Sequence, residues 1–248
     1  MNKTHIWLGL ALIGGLIAFM ILAERGGDFT TEEDIATIEG AEHSLTDDTM
    51  PEEYVVDSSD MLEPPATLIE GIDPSDLTEA EREGLILMRE EEKLARDVYQ
   101  TLGDLWGMRI FSNIAASEQT HTNAMKVLLD RYEVSDPVVD DTVGVFTLPE
   151  MQTLYDELVA KGTLSLPHAL TVGATIEDLD IKDLDDLMAI TDNEDILVTY
   201  RNLQKGSRNH MRAFNRQINR QGLSYEPQYI SQEDFEAIIS GEQERGRI

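Results

Sequence analysis

The stretch FSNIAASEQTHTNAMKVLLD, residues 111–130, decides the fold that we predict for this chain. Apolar residues that include Met125 and Leu128 recur at helical spacing, so they mark one buried face of an amphipathic helix. Glu118 and His121 interrupt this face near its middle, three residues apart, and therefore project the same way from adjacent turns. An acid and an imidazole on a buried face indicate a helix that supplies ligands to a polar site inside an all-α core.

Four long amphipathic helices are predicted. Their expected limits are residues 83–102, 112–132, a third that begins near 165–167, and 194–219. Gly103 and Gly107 are expected to close the first helix, and Ser112 to cap the second after a link of about eight residues. The segment 133–164, with a short helix started by Pro149, separates the second helix from the third. Two helical hairpins joined by one long connection predict a four-helix bundle with one crossover.

The other three long helices also carry a ligand-type residue within the apolar stripe. These residues are Glu92 in the first helix, with Glu91 as its alternative, Glu177 in the third and His210 in the fourth. Burying an unpaired carboxylate is unfavourable, so three glutamates and two histidines that converge inside a bundle require a cation. Carboxylate and imidazole ligands without sulfur suit iron or manganese, with zinc as a further possibility.

Six sequence blocks within residues 79–228 resemble the uncharacterised family DUF2202, and their arrangement of Glu and His resembles the ferritin-like di-iron superfamily of ferritins and rubrerythrins. The blocks are REEEKLARDVY (89–99), FSNIAASEQTH (111–121), GVFT (144–147), GATIEDLDIKDL (173–184), TDNEDI (191–196) and GSRNHMRAF (206–214). This resemblance implies a ferritin-like bundle that binds a di-iron centre. The implied metal ligands are Glu92, Glu118, His121, Glu177 and His210.

The resemblance also implies roles for two further residues. Asp180 lies where rubrerythrin-type sites have an additional mobile carboxylate, and Tyr99 corresponds to a phenol near the site that donates a hydrogen bond or an electron. One position departs from the superfamily pattern, because Ser207 stands where a glutamate is usual. With that bridging carboxylate missing, either Asp180 supplies an oxygen to a two-metal site or the site holds a single metal.

The remaining segments set the predicted domain limits. Residues 6–22 are apolar or glycine throughout, and Ile21 occupies a position where signal-peptide cleavage needs a small residue, which favours an uncleaved membrane anchor. The next segment is strongly acidic and contains four prolines, as is typical of a disordered linker. The predicted anchor or signal segment, acidic linker, bundle domain and tail with a short helix near 232–240 span 1–23, 24–78, 79–220 and 221–248.

Composition limits the classes of function. The chain has 49 acidic and 19 basic residues, a formal net charge of −30, which argues against nucleic-acid binding. It contains no cysteine, so disulfides, thiolate nucleophiles and the four-cysteine iron centre of rubrerythrins are excluded. Reducing equivalents for redox chemistry would therefore come from an external donor.

The resemblance implies oxidation of Fe(II) by peroxide or dioxygen, as in a ferroxidase, a peroxidase or an oxidant scavenger. The alternative is a non-catalytic metal-binding or extracytoplasmic interaction module with a mononuclear or vestigial site. The expected partners are a metal ion, a small oxidant, an unidentified electron donor, the membrane and a second copy of the chain in a homodimer. The domain is expected outside the cytoplasm, either membrane-anchored or secreted after cleavage.

Overall fold

The structure, a computed structural model, describes residues 65–246, which form seven α-helices and no β-strand. The helices are α1 (Pro65–Leu68), α2 (Glu79–Trp106), α3 (Arg109–Arg131), α4 (Pro149–Gly162), α5 (Leu166–Met188), α6 (Glu194–Arg220) and α7 (Gln232–Ser240). The predicted all-α class is confirmed for this part of the chain. The predicted anchor and the linker up to residue 64 lie outside the described residues. Within 65–246, no helix is long and apolar enough to cross a membrane.

Helix α2 has defined signals at both of its ends. At its start the Thr78 side chain accepts a hydrogen bond from the Glu81 N–H at 3.3 Å, while the Glu81 carboxylate accepts the Thr78 N–H at 2.8 Å. At its end Gly107 adopts a left-handed conformation with φ 66°, and its N–H donates to the Gly103 carbonyl at 2.8 Å. Gly103 thus lies inside the helix, and α2 is longer than predicted at both ends.

The turn at Gly107 also moves the start of the next helix. Only Gly107 and Met108 separate α2 from α3, and Met108 is the N-cap without a side-chain cap. The predicted cap at Ser112 was wrong, because Ser112 lies in the first turn of α3 and donates to the Arg109 carbonyl at 3.0 Å. A left-handed glycine reverses the chain within two residues, so no longer link is needed.

The four long helices form a helical bundle. α2 packs mainly on α3 and α5 mainly on α6, while α3 also contacts α6 and α2 also contacts α5. Links of two and five residues, 107–108 and 189–193, join the two pairs. The long connection 132–165 contains α4, which lies against α2 and α5. The observed architecture is therefore two helical hairpins joined by one long connection.

A buried ion pair holds this long connection against α2. The fully buried Lys93 ammonium lies 2.5 Å from the Asp97 carboxylate and donates to the carbonyls of Thr142 and Val145, each at 3.0 Å. The same ammonium lies 4.4 Å from the centre of the Phe146 ring. Since the charge is paired with a carboxylate and hydrogen-bonded to two carbonyls, the lysine can be buried while it fixes the path of the connection.

The segments on either side of the bundle pack against it. Leu68 and Ile69 are buried in the apolar cluster formed by the ends of the long helices, so these two residues of the predicted linker pack on the bundle. In the tail, the buried Asp178 carboxylate accepts the Tyr225 hydroxyl at 2.8 Å and the Ile230 N–H at 2.9 Å. These contacts hold residues 225–230 on α5, and α7 packs on α6, where Arg212 donates to the Ile238 carbonyl at 2.8 Å.

Candidate metal centre

The structure brings together the five residues predicted as metal ligands, from all four long helices. Each of the five residues is at most 6% exposed. They are Glu92 on α2, Glu118 and His121 on α3, Glu177 on α5 and His210 on α6. Apolar residues at both ends of the bundle separate this polar layer from solvent.

His121 and His210 each face two carboxylates, and Glu118 is common to both. The Nδ1 atom of His121 lies 2.7 Å from Glu118 Oε2 and 3.2 Å from Glu92 Oε2. The Nδ1 atom of His210 lies 2.7 Å from Glu118 Oε1 and 3.4 Å from Glu177 Oε2. Each oxygen of the Glu118 carboxylate therefore faces a different histidine, and the two imidazole rings stack with centroids 5.7 Å apart.

The five side chains form two overlapping groups that could each hold a metal ion. One group is Glu92, Glu118 and His121, and the other is Glu118, Glu177 and His210. Within each group, one ligand atom from every member lies within 4.8 Å of the others. The Glu118 carboxylate is common to both groups, and each group adds one further glutamate and one histidine. This symmetric arrangement is the one expected for two cations bridged by a carboxylate.

Two buried atoms of the cluster lack a hydrogen-bond partner. They are Glu92 Oε1 and His210 Nδ1. His210 Nδ1 is close to carboxylate oxygens, yet none is aligned with it for a hydrogen bond. Buried polar atoms are nearly always hydrogen-bonded, so one unsatisfied atom in each of the two groups is consistent with a site that could hold cations.

The charges of the cluster perturb the pKa values of its members in opposite directions. Burial raises the pKa of Glu118, but the neighbouring imidazolium forms of His121 and His210 outweigh it and leave that pKa far below its ordinary value. Burial lowers the pKa of His210, and the charges of Glu118 and Glu177 reverse this and raise it to about 10. Histidines in this site therefore hold protons that a bound metal ion would have to displace.

The two outer glutamates, Glu92 and Glu177, have raised rather than lowered pKa values. Burial raises the pKa of Glu92 to about 8, although the charge of His121 opposes that increase. The pKa of Glu177 is also raised by burial, against the opposing charge of His210. Two carboxylates that are costly to ionise could serve as ligands of a metal ion, because the positive charge of an ion would favour their ionised form.

Asp180 lies beside the cluster but belongs to neither group. Its Oδ2 atom accepts a hydrogen bond from the Ser207 hydroxyl, and the Ser207 Oγ also lies 3.0 Å from the Leu203 carbonyl. Burial, followed by the charge of Glu92, raises the pKa of Asp180 well above its ordinary value. Ser207 thus holds Asp180 next to the ligands rather than among them.

Tyr99 contacts one predicted ligand directly. Its hydroxyl donates to Glu177 Oε1 at 2.5 Å and lies 3.2 Å from the Gly173 carbonyl. The ring packs between Phe111 and Phe214, with centroid distances of 6.4 and 5.3 Å. The phenol therefore orients Glu177, and the aromatic side chains around it close one end of the site.

Two supporting residues were missed by the sequence analysis. Ser117 Oγ lies 3.0 Å from His210 Nε2, and Gly206 allows the His121 ring to approach the backbone of α6. A Cβ atom at Gly206 would lie 2.6 Å from His121 Nε2. The signal available for Gly206 was a glycine inside a helix, which is destabilising unless another group needs the space. No pattern distinguished Ser117 from other serines.

The three consecutive glutamates of α2 have three different surroundings. Glu90 accepts the N–H groups of Thr147 and Leu148 at 2.7 and 2.8 Å, at the start of α4. Glu92 enters the histidine cluster, whereas Glu91 does not and leaves both carboxylate oxygens unpaired. The geometry therefore favours Glu92 over Glu91 as the ligand from α2.

Comparison with known proteins identifies relatives without an assigned function. A family described as "Uncharacterized protein domain (DUF2202)" matches residues 81–242. An uncharacterized protein of Methanocaldococcus jannaschii, MJ0754, is 59% identical over 170 residues, which cover 68% of this chain and 92% of the relative. A crystal structure titled as hypothetical protein MJ0754 superposes with a TM-score of 0.69 at 57% identity and covers 70% of this chain and 99% of that one.

Proposed function

We propose that this chain, which belongs to the DUF2202 family, is a ferritin-like protein whose buried cluster binds two metal ions, with iron as the resident metal. The observation that carries the proposal is the position of Glu118, whose carboxylate is shared by two groups that each contain one further glutamate and one histidine. Two hairpins joined by a long connection that includes α4 are consistent with the one-crossover topology of that superfamily.

The two groups assign a ligand set to each ion. Glu92 and His121 would hold one ion, Glu177 and His210 the other, and Glu118 would contact both. The unpaired Glu92 Oε1 and His210 Nδ1 support this assignment, because each belongs to a different group and each would gain a partner from the ion of its group. Oxygen and imidazole donors without sulfur favour iron or manganese, and zinc is a competitor for the same donors.

A pair of Fe(II) ions bound here would supply the two electrons that reduce one peroxide molecule to water. The chain's own residues perform the remaining tasks. Tyr99 fixes Glu177 through its hydroxyl, and Ser207 holds Asp180 beside the ligands through a hydrogen bond. The apolar layers at both ends limit access of water. Since the chain has no cysteine, the electrons that regenerate Fe(II) would come from another molecule.

A non-catalytic metal-binding module is the second candidate. The observation that favours it is Ser207, which occupies a position where the superfamily usually has a glutamate. The Ser207 hydroxyl is buried and already hydrogen-bonded to Asp180, so it does not replace a bridging carboxylate. If one group alone holds a metal, the protein would bind one ion and lack the electron pair that peroxide reduction needs.

Oxidation of iron distinguishes the two candidates. The full-length protein is loaded anaerobically with Fe(II) and mixed with hydrogen peroxide, while the ferric absorbance is recorded. We expect oxidation at least about tenfold faster than that of free Fe(II), since positioned ligands and excluded water lower the barrier. The variant Glu118→Gln should lose this acceleration. Glu157→Gln, which removes an exposed carboxylate of α4, should keep it. Bound iron that is oxidised no faster than free iron would support the non-catalytic module instead.

We also propose that the apolar segment 6–22 attaches the protein to a membrane with the bundle outside the cytoplasm. The support for this proposal is the sequence alone, since these residues lie outside the described part of the chain. Membrane fractionation of cells that express the full-length protein, followed by protease treatment of intact cells, tests it. Recovery of the intact chain in the cytosolic fraction would contradict the proposal.

A further inference from the structure

A line of carboxylates winds along α5 from the metal centre to the surface. Glu177, Asp180, Asp183 and Asp186 follow one another at intervals of three residues. Each interval brings neighbouring side chains together but rotates them by about 60° around the helix axis. The line therefore begins on the core face and ends on the opposite face. Relative exposure follows this rotation: it is 2% for Glu177 and 6% for Asp180, Asp183 is half-buried, and the Asp186 side chain is 58% exposed.

Glu91 faces this line from the neighbouring helix α2. Its side chain is 3% exposed, and neither carboxylate oxygen has a hydrogen-bond partner. Helix α2 packs against α5, and burial, followed by the charges of Asp183 and Asp180, raises the pKa of Glu91 well above its ordinary value. A buried carboxylate without a partner is unfavourable, so its retention at this place needs a reason.

The outer end of the line is accessible to cations. Lys182 is paired with Asp186 at the surface. Asp183 lies one step further in, and burial together with the charge of Asp186 raises its pKa to about 7. Carboxylates that follow one another from the surface towards the core attract cations and speed their association, because a low-dielectric interior focuses the field.

We propose that Asp183 and Glu91 form an entry route that passes divalent metal ions from the surface at Asp186 to Asp180 and the metal centre. This inference rests on the proposed metal-binding function. Among the described residues, only the two groups around Glu118 bring three ligand atoms within 4.8 Å of one another. Glu91 and Asp183 therefore offer too few donors for a resident ion, and the role that fits them is transient ligation.

The rate of metal uptake tests the route. The metal-free full-length protein is mixed with Co²⁺ in a stopped-flow instrument, and the visible absorbance of bound Co²⁺ is followed. The double variant Glu91→Gln/Asp183→Asn is compared with Asp156→Asn/Glu157→Gln, which removes two exposed carboxylates of α4. Equilibrium dialysis gives the amount of Co²⁺ bound by each protein at saturation, and circular dichroism reports its helical content.

We expect the route variant to bind as much Co²⁺ as the wild type at saturation but at least about tenfold more slowly. Release to a chelator should also slow, since a route serves both directions. The control variant should match the wild type in both rates. Single variants, Glu91→Gln and Asp183→Asn, should each slow uptake, so the test does not depend on the double variant folding.

Three results would overturn the route. Unchanged uptake with unchanged saturation would leave the metal centre in place and remove the route. Reduced saturation in the Glu91 variant would make Glu91 a resident ligand rather than a transient one. A wild-type protein that binds no Co²⁺, Fe(II), Mn²⁺ or Zn²⁺ would overturn both the route and the proposed function.

Discussion

Gly206 sets how closely the His121 ring approaches helix α6. With no side chain at this position, the ring packs against the helix backbone and its Nδ1 atom is directed to Glu92 and Glu118. A Cβ atom at residue 206 would lie 2.5 Å from His121 Cε1, which is closer than two non-bonded carbon atoms can approach. A single methyl group on α6 is therefore sufficient to displace a predicted ligand on α3.

The substitution Gly206→Ala should weaken metal binding by about 10- to 100-fold, as expected when support of a ligand is lost. The matched control is Gly162→Ala, whose Cβ atom would lie 2.7 Å from the Leu102 side chain, outside the predicted ligand set. Both changes should destabilise the metal-free fold by about 1–3 kcal/mol. Metal titration and thermal unfolding separate the two effects. Equal loss of affinity in both variants would contradict a positioning role for Gly206.

Sequence periodicity predicted the ligand-bearing faces but left open which neighbouring residue is used. Glu91 and Glu92 are about 100° apart on the helix, and the apolar stripe of α2 is broad enough to include either residue. Only the packing of α3 against α2 places Glu92 beside His121. The Ser207–Asp180 hydrogen bond likewise depends on how α5 and α6 pack together, which neither segment shows alone.

At the scale of elements, Asp178 joins α5 to the C-terminal tail. Its carboxylate accepts the Tyr225 hydroxyl and the N–H groups of Gln228, Tyr229 and Ile230, at distances between 2.5 and 3.2 Å. Asp178 therefore fixes the path of residues 225–230, while α7 itself is held by Arg212 of α6, whose guanidinium donates to the Ile238 carbonyl at 2.8 Å.

The substitution Asp178→Ala should release the segment between α6 and α7 from α5. Several buried donors would lose their acceptor at once, and we expect a loss of about 3–5 kcal/mol in the free energy of unfolding. Limited proteolysis should then cut within 221–246 before it cuts the bundle. The control Glu233→Ala changes an exposed carboxylate of α7. Equal resistance of the Asp178 variant and the wild type would show that the tail is held by other contacts.

Element limits could be predicted wherever the sequence carries a local signal. Pro149 starts α4, residues 165–167 start α5 and Glu194 starts α6, as expected from the sequence. The error at Ser112 has a local cause as well, since the left-handed turn at Gly107 takes precedence over a serine that could have been a cap. The buried Lys93 could not be predicted, because its carbonyl partners lie about 50 residues further along the chain.

At the scale of the whole molecule, the core of the bundle buries more carboxyl groups than its positively charged groups neutralise. The chain has a net charge of −30, and the carboxyl groups of Glu91, Glu92, Glu177 and Asp180 lie close together in the core. Without metal, these groups retain protons in the folded protein at a pH where they would be ionised in the unfolded chain. The stability of the metal-free protein must therefore depend on pH.

The metal-free protein should lose stability as pH rises from about 5.5 to 8.5. Burial raises the pKa of Glu92 to about 8, so the folded state binds more protons than the unfolded state across this range. His210 acts in the same direction: its pKa is raised to about 10, so the stability that its protonated form contributes is lost as pH rises. The lowered pKa of Glu118 increases stability as pH rises, but this effect is confined to pH values below the ordinary carboxyl pKa.

Thermal unfolding after chelation, at constant ionic strength, measures this dependence. The increase in Tm on adding metal should grow over the same pH range, because the metal displaces the protons. A Tm of the chelated protein that rises with pH would contradict the account. A metal-dependent increase that shrinks as pH rises would contradict it as well.

The metal content of the full-length protein tests the central claim most directly. The protein is loaded anaerobically with Fe(II), freed of excess metal by gel filtration and submitted to elemental analysis, together with three variants. The two groups around Glu118 predict about two irons per chain in the wild type and about one in either His121→Ala or His210→Ala. They predict almost none in Glu118→Ala. Iron retained by the Glu118 variant, or a wild type with no bound metal, would contradict the shared-carboxylate centre.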